Sequence, residues 1–375
     1  MANYKVGMVI AIVALLIVGS VFGVYVTSVG PVTVTTTVTG PGGARTVTTT
    51  VVTTRTVPVT VTATPAANLT KIAVGLLAPP SQGSWPALII QELGLDRKYG
   101  IEIEWVFQPG TAALYNDFTA GRYKIGHGGF MTFANMYARG VPAKVFATLT
   151  LFGTALIINK ERAPDVNTVR DLEGKLVAGP LAAENTRAMQ VYMRWLGADL
   201  ARIQFQNFEH AAVVTELTAP TGRAVAGIGW ETVPSRLEMQ DPRKYVSLFT
   251  IQQLEQVWRE RTGTKYHFLL GIAAWDEVLR TQPAIVERVY LAHRDAAKFI
   301  MDFPEEALKI ISRRTGVAED ILRDAFEKDR LRFLVKPAHM EKDSILKLLT
   351  ETNRLGFVER VPDDAFFYTG IRASP

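Results

Sequence analysis

Three hydrophobic regimes follow one another along the chain. Residues 6–26 read VGMVIAIVALLIVGSVFGVYV, without a charge and with one serine; at 1.5 Å rise per residue such a helix crosses roughly 30 Å of hydrocarbon. Residues 28–67 are built almost wholly from Thr and Val, punctuated by Pro31, Pro41, Pro58, Pro65, Gly40, Gly42 and Gly43. Beyond residue 70 the apolar period switches repeatedly between short runs and helical spacing, which predicts an α/β architecture with a parallel sheet.

The first regime reads as a transmembrane helix, with residues 1–27 forming a cytoplasmic flank and anchor. A cleaved signal peptide is the rival reading, but its apolar core would be about 7 to 15 residues, followed by a small-x-small site. Lys5 precedes the span and no basic residue follows until Arg45, so the positive-inside bias leaves the N-terminus in the cytoplasm and the remainder outside the cell membrane. The second regime reads as a stalk, because prolines and glycines interrupt its strand propensity and a lone polar ribbon has nothing to pack against. About 40 flexible residues reach roughly 35 Å end to end. Thr-rich, Pro-containing stalks are candidates for O-glycosylation, and Asn68-Leu69-Thr70 is an N-glycosylation sequon.

In the third regime the pattern predicts strand 71–77, a loop, helix 85–98 capped at Gly100, strand 101–107, helix 111–120, strand 123–126, helix 130–139 opened by His127-Gly128-Gly129, and strand 143–150. A second lobe begins near 151, with strands 155–159, 176–178 and 203–208, helices 185–196 and 210–217, and the apolar run 224–229. From about 276 the chain reads as helical (284–301, 305–314, 318–327, 341–355), and these helices are expected to return to the first lobe. The expected domains are thus 68–150 plus about 260–375, and 151–259.

Composition narrows the chemistry. The 375 residues contain no cysteine, which excludes disulfides, thiolate metal sites, a cysteine nucleophile and an acylated N-terminal cysteine. The formal net charge is +5. Residues 1–67 hold Lys5, Arg45 and Arg55 and no acid, which leaves 38 basic against 36 acidic side chains in the remainder. The folded part is almost neutral, so a nucleic-acid surface is not indicated.

Short stretches in order carry a family resemblance: Trp85-Pro86-Ala87 with Gly94-Leu95; Tyr99-Gly100-Ile101-Glu102-Ile103; Gly110-Thr111-Ala112-Ala113; Ala120-Gly121 followed by Ile125-Gly126 and Gly128-Gly129; Gly140-Val141-Pro142-Ala143-Lys144-Val145; and Asp171-Leu172-Glu173-Gly174-Lys175. In order and spacing the chain resembles the solute-binding proteins of ABC transporters for nitrate, sulfonate, taurine and thiamine-precursor pyrimidines. The resemblance implies a bilobed type II periplasmic-binding-protein fold with a two-crossover hinge and the ligand held between the lobes. It also implies an ABC permease and its ATPase as partners, and no cofactor.

In open α/β sheets ligands sit beyond the carboxyl ends of strands, where helix N-termini present unpaired amides. That rule selects Ser84 and Trp85; Gln108, Gly110 and Thr111; His127, Gly128 and Gly129; Glu184, Asn185 and Thr186; and Trp230 with Glu231. Each has a structural alternative. The glycines serve turns, the tryptophans pack in a core, His127 is a structural hydrogen-bonding group, and Glu184 complements its own helix dipole. Where the resembled family would offer a Gly-Ser-Thr-like turn, this chain has Gly179-Pro180-Leu181-Ala182-Ala183-Glu184-Asn185-Thr186. Pro180 removes an amide donor and Glu184 adds negative charge, as does Glu231. The departure favours a neutral or cationic solute, such as a pyrimidine, over nitrate or sulfonate.

Enzyme signatures are sparse. There is no Walker A pattern, no HExxH and no G-x-S-x-G elbow, and the two G-x-G pairs at 126–128 and 227–229 lack a third glycine. The pyrimidine-forming enzymes of this fold carry a cysteine-bearing motif, which is impossible here. The alternatives to a transport receptor are an enzyme of pyrimidine or quinone-precursor metabolism on the same fold, and a ligand-sensing ectodomain. The latter would need a signalling module beyond the five or so N-terminal residues. Arg313-Arg314 reads as solvated surface, or as a permease contact.

Overall fold

The computed structural model describes residues 22–40, 43–61 and 69–372, and the chain divides into two compact units at residues 65 and 66. The first unit is an antiparallel hairpin of β1 (Phe22–Gly40) and β2 (Gly43–Val61), in register from Phe22 opposite Val61 to Gly40 opposite Gly43. This corrects the expectation of an unpaired tether. Every strand of a two-stranded ribbon is an edge, so Pro31 opposite Val52 and Pro58 opposite Tyr25 are tolerated, and the β propensity of Thr and Val prevails. Of the expected membrane span, residues 22–26 belong to β1 and the rest lies outside the described residues, as does Asn68. Among the described residues no helix is long and apolar enough to cross a membrane.

The second unit holds two five-stranded sheets, each covered by helices. The first orders β4 (Ile101–Gln108), β3 (Thr70–Leu77), β5 (Ile125–Gly129), β12 (Phe268–Trp275) and β6 (Ala143–Leu151) side by side. The second orders β11 (Tyr245–Ser247), β7 (Ala155–Asn159), β10 (Ala226–Gly229), β8 (Leu176–Gly179) and β9 (Gln204–Asn207). Both sheets are mixed rather than purely parallel. β12 runs antiparallel to β5 and β6, and β7 runs antiparallel to β10 and β11, because these strands flank the passages between sheets.

Most predicted elements stand within a residue or two of their observed ends. Three differ. The expected helix 85–98 breaks at Gly94, whose φ of 60° ends Trp85–Leu93 and starts Leu95–Lys98. The expected strand 123–126 is shifted to Ile125–Gly129, so His127, Gly128 and Gly129 are strand residues and not helix openers. Helix Ile251–Thr262 and β12 occupy a stretch to which the sequence pattern assigns no element.

The chain leaves the first sheet between β6 and β7 and returns between β11 and β12, and the two passages touch: the Phe152 amide donates to His267 O at 2.8 Å. Phe152, Tyr192, Trp258, Phe268 and Leu349 share one buried apolar cluster at this junction. The long helix Pro283–Asp302 packs on Trp85–Leu93, which seats the C-terminal helices on the first lobe.

Candidate functional site

The loops that follow β3, β4 and β5 in the first lobe, and β8 and β10 in the second, supply the candidate residues, and the structure distributes them into distinct environments. Ser84 ends a short turn after β3 and is buried with its hydroxyl donating to Ser81 O at 2.6 Å. Trp85 is fully buried: its indole donates to Pro80 O at 3.3 Å and its ring lies 6.2 Å from Phe333. It is a core residue of the first lobe. Gln108, at the end of β4, donates to Asp117 at 2.7 Å, while Gly110 and Thr111 open helix Thr111–Thr119 at a more exposed position.

His127 points into the first lobe. Its Nδ1 lies 3.1 Å from Gly83 O and its Nε2 2.8 Å from His293 Nε2, with Trp105 edge-on to both rings. Burial, then the neighbouring His293, pushes His127 well below the usual histidine range, and burial lowers His293 to about 4. The pair serves the lobe's interior.

Gly129 and Glu184 form a contact across the lobes at these loops. Helix Phe130–Ala138 begins after Gly129, which has no side chain with which to cap it, so its first amides need acceptors from elsewhere. Glu184, first residue of helix Glu184–Trp195 in the second lobe, supplies them. Its Oε2 accepts from the Met131 amide at 3.1 Å, and its Oε1 accepts from the Thr132 amide at 2.7 Å and the Thr132 hydroxyl at 2.8 Å. A Cβ on Gly129 would lie 1.8 Å from Glu184 Cγ, so the glycine makes room for the carboxylate. Burial raises the carboxyl above its ordinary 4.5, opposed by the hydrogen bonds from Thr132 and Met131. Beside it the Gly129 amide donates to Tyr115 Oη at 2.9 Å.

Asn185 donates to Thr154 Oγ1 at 2.8 Å, joining the second-lobe loop to the β6–β7 passage. Thr186 Oγ1, Gln82 Oε1, Thr150 Oγ1 and Ser235 Oγ are buried without a hydrogen-bond partner in the protein. Trp230, after β10, stacks on His210 at 3.7 Å and 1°, and His210 Nε2 lies 3.0 Å from Trp230 O. Glu231 turns away to Arg330, whose Nη1 donates to it at 3.3 Å, while Nη2 holds Glu238 at 2.8 Å and Ser247 at 2.8 Å. Burial raises Glu231 to about 7 against the pull of Arg330.

The structure thus brings together Gly129 and Glu184, keeps Asn185 and Thr186 beside them, and separates out Trp85, His127 and Glu231. Tyr115, Thr154 and Arg330 are the residues that sequence reasoning missed. Tyr115 stands one helical turn beyond Thr111 and was within reach of a helix-face argument, whereas Arg330 is 99 positions from Glu231 and has no local signal. Among the described residues no cluster of three or more His, Cys, Asp or Glu is placed to hold a metal.

The profile of the NMT1/THI5 like family matches residues 84–307. Comparison with curated protein sequences gives no match. Among solved structures, the periplasmic aliphatic sulphonate binding protein SsuA from Escherichia coli is similar over 80% of this chain and 92% of its own, with a TM-score of 0.65 and 16% identity. The alkanesulfonate-binding protein SsuA from Xanthomonas axonopodis pv. citri, bound to MOPS, matches 80% of this chain and 96% of its own at a TM-score of 0.61 and 16% identity. The periplasmic nitrate-binding protein NrtA from Synechocystis PCC 6803 covers 79% and 84% at a TM-score of 0.63 and 16% identity. At such identities the likeness is one of fold, and it is the bilobed periplasmic-binding fold.

Proposed function

The chain belongs to the NMT1/THI5 like family, and from that premise we propose that it is the extracytoplasmic solute-binding receptor of an ABC importer, closing two lobes over a small molecule for delivery to a permease. The observation that carries this reading is the facing of strand-end loops from two sheets, joined across the cleft by Glu184 on the Thr132 and Met131 amides. Solute contacts made by both lobes exist only in the closed form, so binding shifts the population toward it. The passages at 150–154 and around 245–270 are the proposed hinges, and 68–150 with about 260–375, and 151–259, the proposed lobes.

Asn185, Thr186, Trp230, Gly110 and Thr111 are the proposed solute contacts on the two sides. The buried unpartnered oxygens of Thr186 and Gln82 support a polar solute. The apolar stretch that begins at residue 6 is proposed as a single-pass anchor with the globule outside. The structures named above are of binding proteins and not enzymes, which supports transport over catalysis.

Thermal-shift screening of the full chain against pyrimidines, amines, sulfonates, nitrate and bicarbonate tests the reading. A true solute at 100 times its dissociation constant stabilises by about 2.7 kcal/mol, and small-angle scattering should show compaction. Binding without compaction would sink the closure mechanism.

A further inference from the structure

The amide site at the start of helix Phe130–Ala138 is already taken by the protein's own carboxylate, and we infer that Glu184 is the specificity-determining residue of the cleft, excluding solutes that present an anionic head to that site. The inference rests on the receptor reading and deepens it by naming the solute class: uncharged or cationic at this subsite.

Helix N-termini carry partial positive charge and unpaired donors, and a carboxylate, sulfonate or nitrate oxygen is the group they hold best. Here both Glu184 oxygens meet backbone amides of the opposite lobe, and a third donor, the Thr132 hydroxyl, completes the cradle. Glu184 is 6% exposed, so the carboxylate is enclosed and does not lie on a rim. Two further features fit the position to this side chain. Gly129 leaves the volume that the Glu184 stem fills. Its own backbone is extended at φ −82° and ψ 145°, which any residue adopts, so the glycine is required by the close approach and not by its conformation. A solute anion entering this site would have to displace a covalently tethered competitor whose effective concentration is set by the fold. A solute without such an anion meets no competitor.

The test compares the wild-type full chain with Glu184→Ala and with Gly129→Ala, the second expelling the carboxylate sterically while retaining it in the chain. Acetate restores the lost group in Glu184→Ala. Its melting temperature should rise by about 2 °C or more at roughly 100 mM acetate relative to matched sodium chloride, with no comparable rise for acetamide or for wild type. In calorimetry, methanesulfonate and nitrate should bind both variants at least about tenfold more tightly than wild type. Equal anion binding by wild type and variants, or acetate without effect on Glu184→Ala, overturns the inference. Where Glu184→Ala does not fold, Gly129→Ala alone decides by the same anion comparison. The two readings fail separately. Gain of anion binding with no solute for wild type leaves the specificity site standing and removes the receptor. A wild-type solute with no gain in the variants does the reverse.

Discussion

Trp258 and His267 lie face to face, their ring centroids 4.1 Å apart and their planes within 7°, and Phe152 covers the other side of the imidazole at 4.8 Å and 4°. A protonated ring could not be hydrated in that sandwich, and burial lowers His267 to about 3. Its Nδ1 is 2.8 Å from the buried Tyr192 hydroxyl.

Acid should therefore loosen the junction between the lobes. The unfolded chain takes up a proton near 6.5, whereas the folded chain resists until about 3, so stability falls as pH falls through that window, by up to roughly 4 kcal/mol from this group. His210 and His293, both lowered to about 4 by burial, act in the same direction. His267→Phe keeps a flat ring but orphans the Tyr192 hydroxyl, at a cost of about 1–3 kcal/mol near neutrality. Urea melts at pH 7 and pH 4 should show a smaller loss in the variant than in wild type; equal losses would refute the assignment.

Glu231 titrates with the opposite sign. Its carboxyl is raised from 4.5 to about 7 in the folded chain, so the protonated form stabilises the fold, and this contribution is lost as pH rises from 4.5 through 7. Glu231→Gln, neutral at every pH, should gain on wild type across that interval. The measurement is the difference in unfolding free energy at pH 4.5 and pH 8, and a difference that does not move toward the variant at high pH would count against the shift.

Arg330 is buried with Glu231, Glu238 and Ser247 around it. Arg330→Met removes the cation and leaves Glu238 and Glu231 without it, which should cost about 3–5 kcal/mol. Glu238→Gln added to it should recover part of that loss, and a double-mutant cycle by chemical denaturation measures how much. Strict additivity would mean that the pair is not coupled.

Gly153, in the β6–β7 passage, sits against the backbone of that same arginine: a Cβ would fall 2.1 Å from Arg330 O. A carbonyl cannot swing aside as a side chain can. Gly153→Ala should cost about 1–3 kcal/mol by overpacking and alter the closure of the lobes. A variant with wild-type stability and scattering profile would show that this passage is more yielding than its geometry indicates.

Trp230 presents a stacked indole at the second-lobe loop, one face covered by His210. A planar solute would use the other face. Trp230→Ala should then weaken solute binding by about tenfold or more with little loss of stability, and Trp230→Phe should weaken it less. Unchanged affinity in the alanine variant would remove the tryptophan from the site.

Much of the fold was legible because its punctuation is local. Gly94, Gly100, Gly121 and Gly140 all take positive φ near the ends of helices or turns, and a period of apolar residues between such stops can be read without knowing any partner. β12 was not legible in this way. Its sequence FLLGIAAW is an apolar run without alternation, and its identity as a strand comes from β5 and β6, which are distant in sequence. The site shows the same division. The loops were picked by rule, and that rule offers Glu184 as a solute contact with service to its own helix dipole as the alternative, whereas its carboxylate reaches a helix 52 residues away in sequence. The Thr and Val alternation was read correctly as strand-prone, and the pairing of its two halves was what a single-strand argument could not supply.

β12 also imposes an order on the making of the protein. Among the described residues β6 pairs with no strand but β12, and its isolated bridges go to Phe333, Pro337 and Phe367, all later in the chain. A chain emerging from its N-terminus therefore carries β6 with its hydrogen-bonding edges unfilled while residues 155–247, which form the second sheet without interruption, are already complete. The second lobe can fold as it appears, and the first must wait for its interior strand. During that interval β5 and β6 both lack the strand that will lie between them, and their free edges are open to pairing with other chains.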